Sequence, residues 1–339
     1  MSGLQLFWFI IVGVLFGGFF FLEGFDFGVG MSTLFVAKDD REIDQSIAAI
    51  GPFWDGNEVW LLTAGGAMFA SMPYWYASLF SGYYLILLLI LAGLILRGVS
   101  FEFRHRAPSA KHHKFWGVIL GIASTAVPFL FGLMFTSFIQ GIPMDVNGNV
   151  SANFFTYVNL LSIVGGVAVT LLCFLHGLNY LALKVAGPLR DRAKAIAKVL
   201  YFVLYAGEVV FAILLFFFTD FFKTQVIDGV HKNAVWTVIL LAVIVVLSVI
   251  AHIGVMKSNE KMAFFSSGIT FFALVALLFQ GIFPRVMIAT NPVHDILIRH
   301  ASSTSYTLTA MTIVALCILP FVLVYVAWTY FIFRKRIEK

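Results

Sequence analysis

The sequence predicts an all-α polytopic membrane protein with nine transmembrane helices, on three observations. Of 339 residues, 61% are apolar and only 12% charged, against about 45–50% and roughly 25% in soluble domains. The apolar residues fall into nine runs, each of about the 20 residues needed to cross a hydrocarbon core. No run alternates strictly between apolar and polar, as the strands of a membrane barrel would. So much apolar surface excludes a water-soluble enzyme, a disordered segment and a nucleic-acid-binding domain.

The expected spans lie near 4–34, 51–71, 76–97, 115–140, 154–183, 198–219, 235–256, 262–283 and 305–333. The first lacks a basic leader and a small-residue cleavage site, so it reads as a retained span and not a signal peptide. Pro52 suits the first turn of the second. Gly65-Gly66 and Gly165-Gly166 suit close helix packing. Cys173 and Cys317 lie inside apolar runs, too few for a disulfide framework and without metal-ligand spacing. The connections are too short to hold a soluble domain.

Lysine and arginine set the orientation. Lys38 and Arg41 fall in the first connection. Arg97, Arg104, Arg106, Lys111 and Lys114 fall in the third. Lys184, Arg190, Arg192, Lys194 and Lys198 fall in the fifth, and Lys257 and Lys261 in the seventh. Arg334, Lys335, Arg336 and Lys339 close the chain. These are 18 of the 22 basic residues. Only Lys223, Lys232, Arg285 and Arg299 lie in the even-numbered connections. Nine spans then place the N-terminus outside and the C-terminus in the cytoplasm. The net charge of +5 is a topology signal and points to membrane, not to nucleic acid.

A weak internal echo divides the chain. Leu22-Glu23-Gly24-Phe25-Asp26-Phe27 ends the first span, and Leu175-His176-Gly177-Leu178-Asn179-Tyr180 occupies the same place in the fifth. Glu58 and Glu208 fall at comparable offsets in the spans that follow. Two parallel four-helix units plus one additional helix are expected. Their segments would be 1–145, 146–290, and 291–339 with the cytoplasmic tail.

Ionisable residues inside a membrane are costly and therefore point to function. Glu23 lies roughly 28 Å along the first span and Asp26 roughly 33 Å, both near its cytoplasmic end. They are three residues apart and share one helix face. Asp55 and Glu58 have the same spacing at the start of the second span. Four carboxyls thus meet at one depth, among Phe25, Phe27 and glycines. Asp55 alone could be a helix-start residue, and Glu23 and Asp26 could simply mark where the span meets water. Carboxyls crowded in a poorly solvated place hold protons more tightly than in water, which is what a proton relay needs. Glu208 is expected near mid-membrane, with His176 and Asn179 as candidate partners, serving either structure or a proton path. Arg97, at the end of the third span, could pair with the cluster or snorkel to lipid phosphate. His252, a lone histidine among aliphatics, could be a haem ligand but reads first as a hydrogen-bonded interface residue. No iron–sulfur cysteine cluster, phosphate-binding glycine loop, zinc-protease motif or nucleophile elbow is present.

Several motifs are recognisable. Glu23-Gly24-Phe25-Asp26-Phe27-Gly28-Val29-Gly30 resembles a signature of subunit II of cytochrome bd-type quinol oxidases. Trp54-Asp55-Gly56-Asn57-Glu58-Val59-Trp60-Leu61 with Thr63-Ala64-Gly65-Gly66-Ala67 resembles a second. Leu96-Arg97-Gly98 with Phe101-Glu102-Phe103-Arg104 is similar to a third-helix motif, and His176-Gly177-Leu178-Asn179-Tyr180-Leu181 to a fifth-helix motif. The resemblance covers the whole chain and is most specific in the first two motifs. It implies a complex in the bacterial plasma membrane with a pseudo-symmetric nine-helix subunit I, and in some members a small single-helix subunit. That complex oxidises quinol and reduces O2 to water with cytoplasmic protons. Haem b and haem d belong to subunit I, so no cofactor or metal is expected on this chain, although some members hold a structural quinone. Asp26 and Asp55 match acidic positions implicated in the family's proton route. Glu58 stands where other members carry Gln, so the route is expected to be arranged differently here.

The function expected is therefore the haem-free second subunit of a quinol:oxygen oxidoreductase, supporting the complex and contributing a proton path through Asp26, Asp55, Glu23 and Glu58. The alternatives are a stand-alone proton-coupled secondary transporter and a purely structural scaffold.

Overall fold

The structure, a computed structural model, describes residues 1–337. Lys339, one of the C-terminal basic residues, lies outside them. The helices are α1 (Gly3–Phe35), α2 (Asp40–Ile50), α3 (Trp54–Ser71), α4 (Pro73–Gly82), α5 (Tyr84–His105), α6 (Ala110–Gln140), α7 (Phe154–Tyr157), α8 (Leu160–Lys184), α9 (Pro188–Phe218), α10 (Val235–Met256), α11 (Glu260–Ile282), α12 (Ile298–Ala301) and α13 (Ser305–Ile332). Two small antiparallel pairs accompany them: β1 (Gln225–Ile227) with β2 (Val230–Lys232), and β3 (Arg285–Met287) with β4 (Ile296–Leu297). Asp228 and Gly229 turn the first pair, both with positive φ (51° and 72°), as a two-residue hairpin requires.

Among the described residues, eight helices are long and apolar enough to cross a membrane: α1, α5, α6, α8, α9, α10, α11 and α13. The second expected span corresponds to α3, an 18-residue helix that opens on Trp54, Asp55, Asn57 and Glu58 and so is less apolar on average.

Helix α1 is the axis. Its N-terminus carries a capping box, with Ser2 N donating to Gln5 Oε1 at 2.8 Å and Gln5 N to Ser2 Oγ at 3.3 Å. Its buried residues extend from Trp8 to Thr33 on all sides, because α3, α6, α8 and α11 surround it. It approaches α8 where two glycines meet. A methyl group on Gly28 would lie 2.0 Å from the carbonyl oxygen of Cys173. The two echoing segments of the sequence are thus neighbours, with Tyr180 stacked on Phe25 at 4.1 Å.

The helix boundaries differ from expectation at several places, among them the fifth span, where the short α7 precedes α8, which starts only at Leu160. The third span was expected at 76–97, but Pro73 begins a separate short helix and Tyr83 ends it, so the span becomes Tyr84–His105. Arg97 and Arg104 consequently sit inside a helix. The first connection contains a further helix, α2, capped by Asp39, whose side chain accepts from Glu42 N at 2.9 Å. It is tied to α5 by Arg104, which reaches Asp40 at 3.2 Å and Asp44 at 3.0 Å. Helix α9 starts at Pro188, ten residues before the expected 198, so Arg190, Arg192, Lys194 and Lys198 form its first turns. Helix α13 buries only Leu308.

A cavity of about 830 Å³ opens among α6, α8, α9, α10 and α11, walled by Phe135, Val169, Phe211, Val245 and Leu274, with Glu208 at its edge.

Candidate functional site

At the basic end of the bundle, the C-terminal third of α1 meets the first turns of α3. Helical spacing puts Glu23 and Asp26 on one face, and the surrounding helices bury both completely. They acquire different partners. Glu23 Oε1 accepts from Arg97 Nη1, which also donates to Glu58 Oε1 at 3.0 Å. Asp26 Oδ2 accepts from Asn57 Nδ2 at 2.7 Å. The other side of that amide is engaged too, since Tyr330 Oη donates to Asn57 Oδ1 at 2.8 Å.

Burial is graded along this group. Asp55 is exposed, and one of its carboxylate oxygens accepts from the next residue's backbone, Gly56 N, at 2.8 Å. The Glu58 side chain retains 23% exposure, whereas those of Glu23 and Arg97 retain none. Arg97 does not snorkel. Its guanidinium lies over Phe27 at 4.8 Å and Phe101 at 5.7 Å from the ring centres, because α5 continues two further turns past it. Four buried polar atoms have no protein partner: Glu23 Oε2, Asp26 Oδ1, Arg97 Nε and Arg97 Nη2. Such atoms are costly unless water or an exchanging proton satisfies them.

Glu208, His176 and Asn179 do not form the group expected of them. His176 Nδ1 lies 2.8 Å from Ser267 Oγ, and Nε2 lies 2.9 Å from the Phe21 carbonyl oxygen. Asn179 donates to Tyr201 Oη at 2.9 Å and to Ser267 Oγ at 3.1 Å. His176 thus bridges α1 and α11, and Asn179 bridges α9 and α11. Glu208 projects from α9 toward α10 and accepts from Ser248 Oγ at 2.6 Å. His252 pairs with Tyr205 at 2.9 Å between Nδ1 and Oη, as an interface residue would.

Sequence reading brought Asn57 to notice only as a neighbour of Asp55 and Glu58, and it missed Tyr330, Ser248 and Ser267. Asn57 lies two residues from one acid and beside another, which could have marked it. A tyrosine 273 positions away from Asn57, in a plain apolar span, carries no such signal.

A bundle of apolar helices with buried carboxyls gathered at one end around one arginine defines a polytopic membrane protein as its class. The chain matches the family described as "Cytochrome bd terminal oxidase subunit II" over residues 4–333, and it belongs to that family. It is 41% identical to "Cytochrome bd ubiquinol oxidase subunit 2" of Bacillus subtilis, covering 100% of this chain and 98% of the relative. It is 31% identical to "Cytochrome bd-I ubiquinol oxidase subunit 2" of Escherichia coli, covering 99% and 96%. Its fold is similar to a chain in the structure of bd oxidase from Geobacillus thermodenitrificans, with a TM-score of 0.72 at 15% identity, covering 98% of this chain and 100% of that one.

Proposed function

We propose that this chain is the second subunit of a quinol:oxygen oxidoreductase and that Asp55, Glu58, Asn57, Asp26, Glu23 and Arg97 form its contribution to proton uptake. The observation that carries this reading is the graded burial from exposed Asp55 to Asp26, whose Oδ1 has no partner. Asp55 exchanges protons with water at the mouth. Arg97 holds Glu58 and Glu23 in one ion-paired group, so charge at this depth is balanced while a proton passes. Asn57 occupies Asp26 Oδ2 and leaves Oδ1 to take the proton. Slowed quinol-driven oxygen consumption in an assembled complex carrying Asp26→Asn, with unchanged haem spectra, supports this role. Unchanged turnover removes it.

The fuller architecture belongs to the same proposal. Helix α3 is the second of nine spans, giving an N-terminus outside and a cytoplasmic C-terminus in a bacterial plasma membrane. Segments 1–145 and 146–290 are four-helix units, and 291–339 holds the ninth helix and tail. Matched packing supports this division: α1 touches α3, α6 and α11 as α8 touches α9, α11 and α6, and α5 packs on α6 as α10 does on α11. Arg97 is 13 residues beyond Tyr84, and Ser248 is 13 beyond Val235. Glu58 with Arg97 and Glu208 with Ser248 then occupy related positions, so Glu208 serves structure or a second proton path.

The partner is cytochrome bd subunit I, with a small single-helix subunit as a further candidate. Haem iron needs an axial side chain. His176 is engaged at both nitrogens, and among the described residues no three His, Cys, Asp or Glu side chains gather as for a metal ion. Haem b and haem d are assigned to the partner, as the resemblance to the family implies. The apolar walls of the 830 Å³ cavity suit the isoprenoid tail of a structural quinone.

A further inference from the structure

Helix α13 touches the bundle sparsely, yet both of its ends are pinned. At one end, Trp8 Nε1 donates to Leu308 O at 3.2 Å and to Thr312 Oγ1 at 3.1 Å. At the other, Tyr330 stacks on Phe53 with ring centres 4.3 Å apart and planes within 5°. Its hydroxyl reaches Asn57.

The consequence lies in the chemistry of the amide, which has a donating end and an accepting end. With its oxygen taken by Tyr330, Asn57 turns its NH2 toward Asp26. Without that hydroxyl, the amide oxygen loses its donor, and only Asp26 and the Leu22 carbonyl, 3.5 Å away, keep the NH2 in place.

The chain beyond α13 holds this arrangement. Residues 333–337 lie across the end of α8 as a strap. Lys184 Nζ donates to the carbonyls of Phe333 and Lys335, the second at 3.0 Å. Ile337 N donates to Lys184 O at 2.9 Å, and Arg336 Nε to Leu183 O at 3.1 Å. Arg336 also lies 3.5 Å from Glu260. Phe333 closes on the edge of Phe53, whose other neighbour is Tyr330.

We propose that Tyr330 is a positioning residue for proton transfer: locked by the strap over α8, it orients the Asn57 amide so that Asp26 is hydrogen-bonded on Oδ2 and carries its proton on Oδ1. The inference rests on the proton-uptake reading above. The other ionisable groups around Asp26 are Glu23 on α1 itself, Asp55 and Glu58 on α3, Arg97 on α5 and Tyr180 on α8. None of them contacts the Asn57 amide through a hydrogen bond.

The test uses the assembled oxidase complex with Asp26→Asn, Tyr330→Phe, Asn57→Leu and the Tyr330→Phe/Asn57→Leu pair. Quinol-oxidase turnover is measured with infrared difference spectra, in which the Asp26 carboxyl band is the one missing from Asp26→Asn. Tyr330→Phe keeps the ring on Phe53 and should keep the haem spectra. It should lower turnover about 2- to 10-fold, the equivalent of one neutral hydrogen bond. It should also shift the Asp26 band and add nothing to Asn57→Leu. Lys184→Gln, which frees the strap without altering the Tyr330 side chain itself, should shift the same band and covers the case in which Tyr330→Phe does not accumulate. If Asp26→Asn slows turnover but the band stays fixed in Tyr330→Phe and Lys184→Gln, or the losses simply add, the positioning role is overturned and the proton route stands. If Asp26→Asn turns over normally, the route falls and the role of Tyr330 falls with it.

Discussion

Arg97 Nη1 lies 3.0 Å from Glu58 Oε1, bridging α5 to α3, while the same nitrogen binds Glu23 on α1. One buried guanidinium therefore holds three helices at the depth of the carboxyl cluster. Two acids share one base, and the second acid keeps access to solvent.

Removing Arg97 should be more damaging than removing either carboxylate. Arg97→Gln leaves Glu23 buried without its cation, a change of about 3–5 kcal/mol when a buried pair is broken. Low accumulation of the complex in membranes and a lower melting temperature are expected, with partial recovery in Arg97→Lys. Normal yield and melting of Arg97→Gln would show that the pair is not structural.

The two aspartates should differ in effect. Asp26→Asn removes the buried carboxyl that is not ion-paired to Arg97, so turnover should fall about tenfold or more. Asp55→Asn removes one that water and neighbouring Glu58 partly replace, so the loss should be smaller. Oxygen consumption by matched complexes measures both, and an Asp55→Asn effect larger than that of Asp26→Asn would reverse the proposed order.

Close packing at Gly28 gives a stability prediction. Gly28→Ala drives a methyl into the α8 backbone at Cys173 and Gly177, whereas Gly207→Ala meets nothing within 4 Å. A loss of about 1–3 kcal/mol is expected for the first, the usual scale for overpacking, and almost none for the second. Thermal unfolding of the two variants in detergent compares them.

At the far end of the bundle, Asp220 binds Lys232 at 2.8 Å and Arg285 at 2.7 Å. Partial burial opposes its charge, but Arg285 and Lys232 prevail and hold the carboxyl below its ordinary value of 3.8. Its folded pKa is therefore below its unfolded one. The stabilisation is fully present above about pH 4 and is lost as pH falls through the folded value. Asp220→Asn should cost about 1–3 kcal/mol at neutral pH, because buried Lys232 loses its carboxylate and Arg285 keeps only Asp295, at 3.4 Å. It should also flatten the acid limb of a plot of melting temperature against pH, and an unchanged acid limb would count against the pairing.

Haem content should be insensitive to the histidines of this chain. His176→Ala and His252→Ala are expected to leave the b- and d-type absorption of the complex intact. Loss of one b-type signal from an otherwise assembled complex would make that histidine an axial ligand.

Much of the site was legible before the fold. Glu23 and Asp26, like Asp55 and Glu58, are three residues apart, and helix periodicity puts each pair on one face without tertiary information. The partner of Glu208 was not legible, because Ser248 is one of many small polar residues in apolar spans. His176 and Asn179 were the more conspicuous candidates, but His176 turns to α1 and α11 while Asn179 meets α9 at Tyr201 and not at Glu208. The start of α4 was marked by Pro73, but an apolar run does not reveal that a helix ends within it, as α4 does at Tyr83.

The sequence by itself determined the membrane class, the pairing of the four carboxyls on two helix faces, the concentration of basic residues at alternate connections and the family to which the motifs belong. Each of these follows from the partition of single residues between water and lipid, or from repeats within one helix. Only the tertiary structure decided that Arg97 turns inward to two carboxylates, that Asn57 stands between Asp26 and Tyr330, and that Ser248 faces Glu208. Those are matters of helix rotation and register. In lipid, apolar burial gives helices no preferred face, so close contacts such as Gly28 against Gly177 and a few polar bonds set the rotation, and these become visible only when all the helices are assembled.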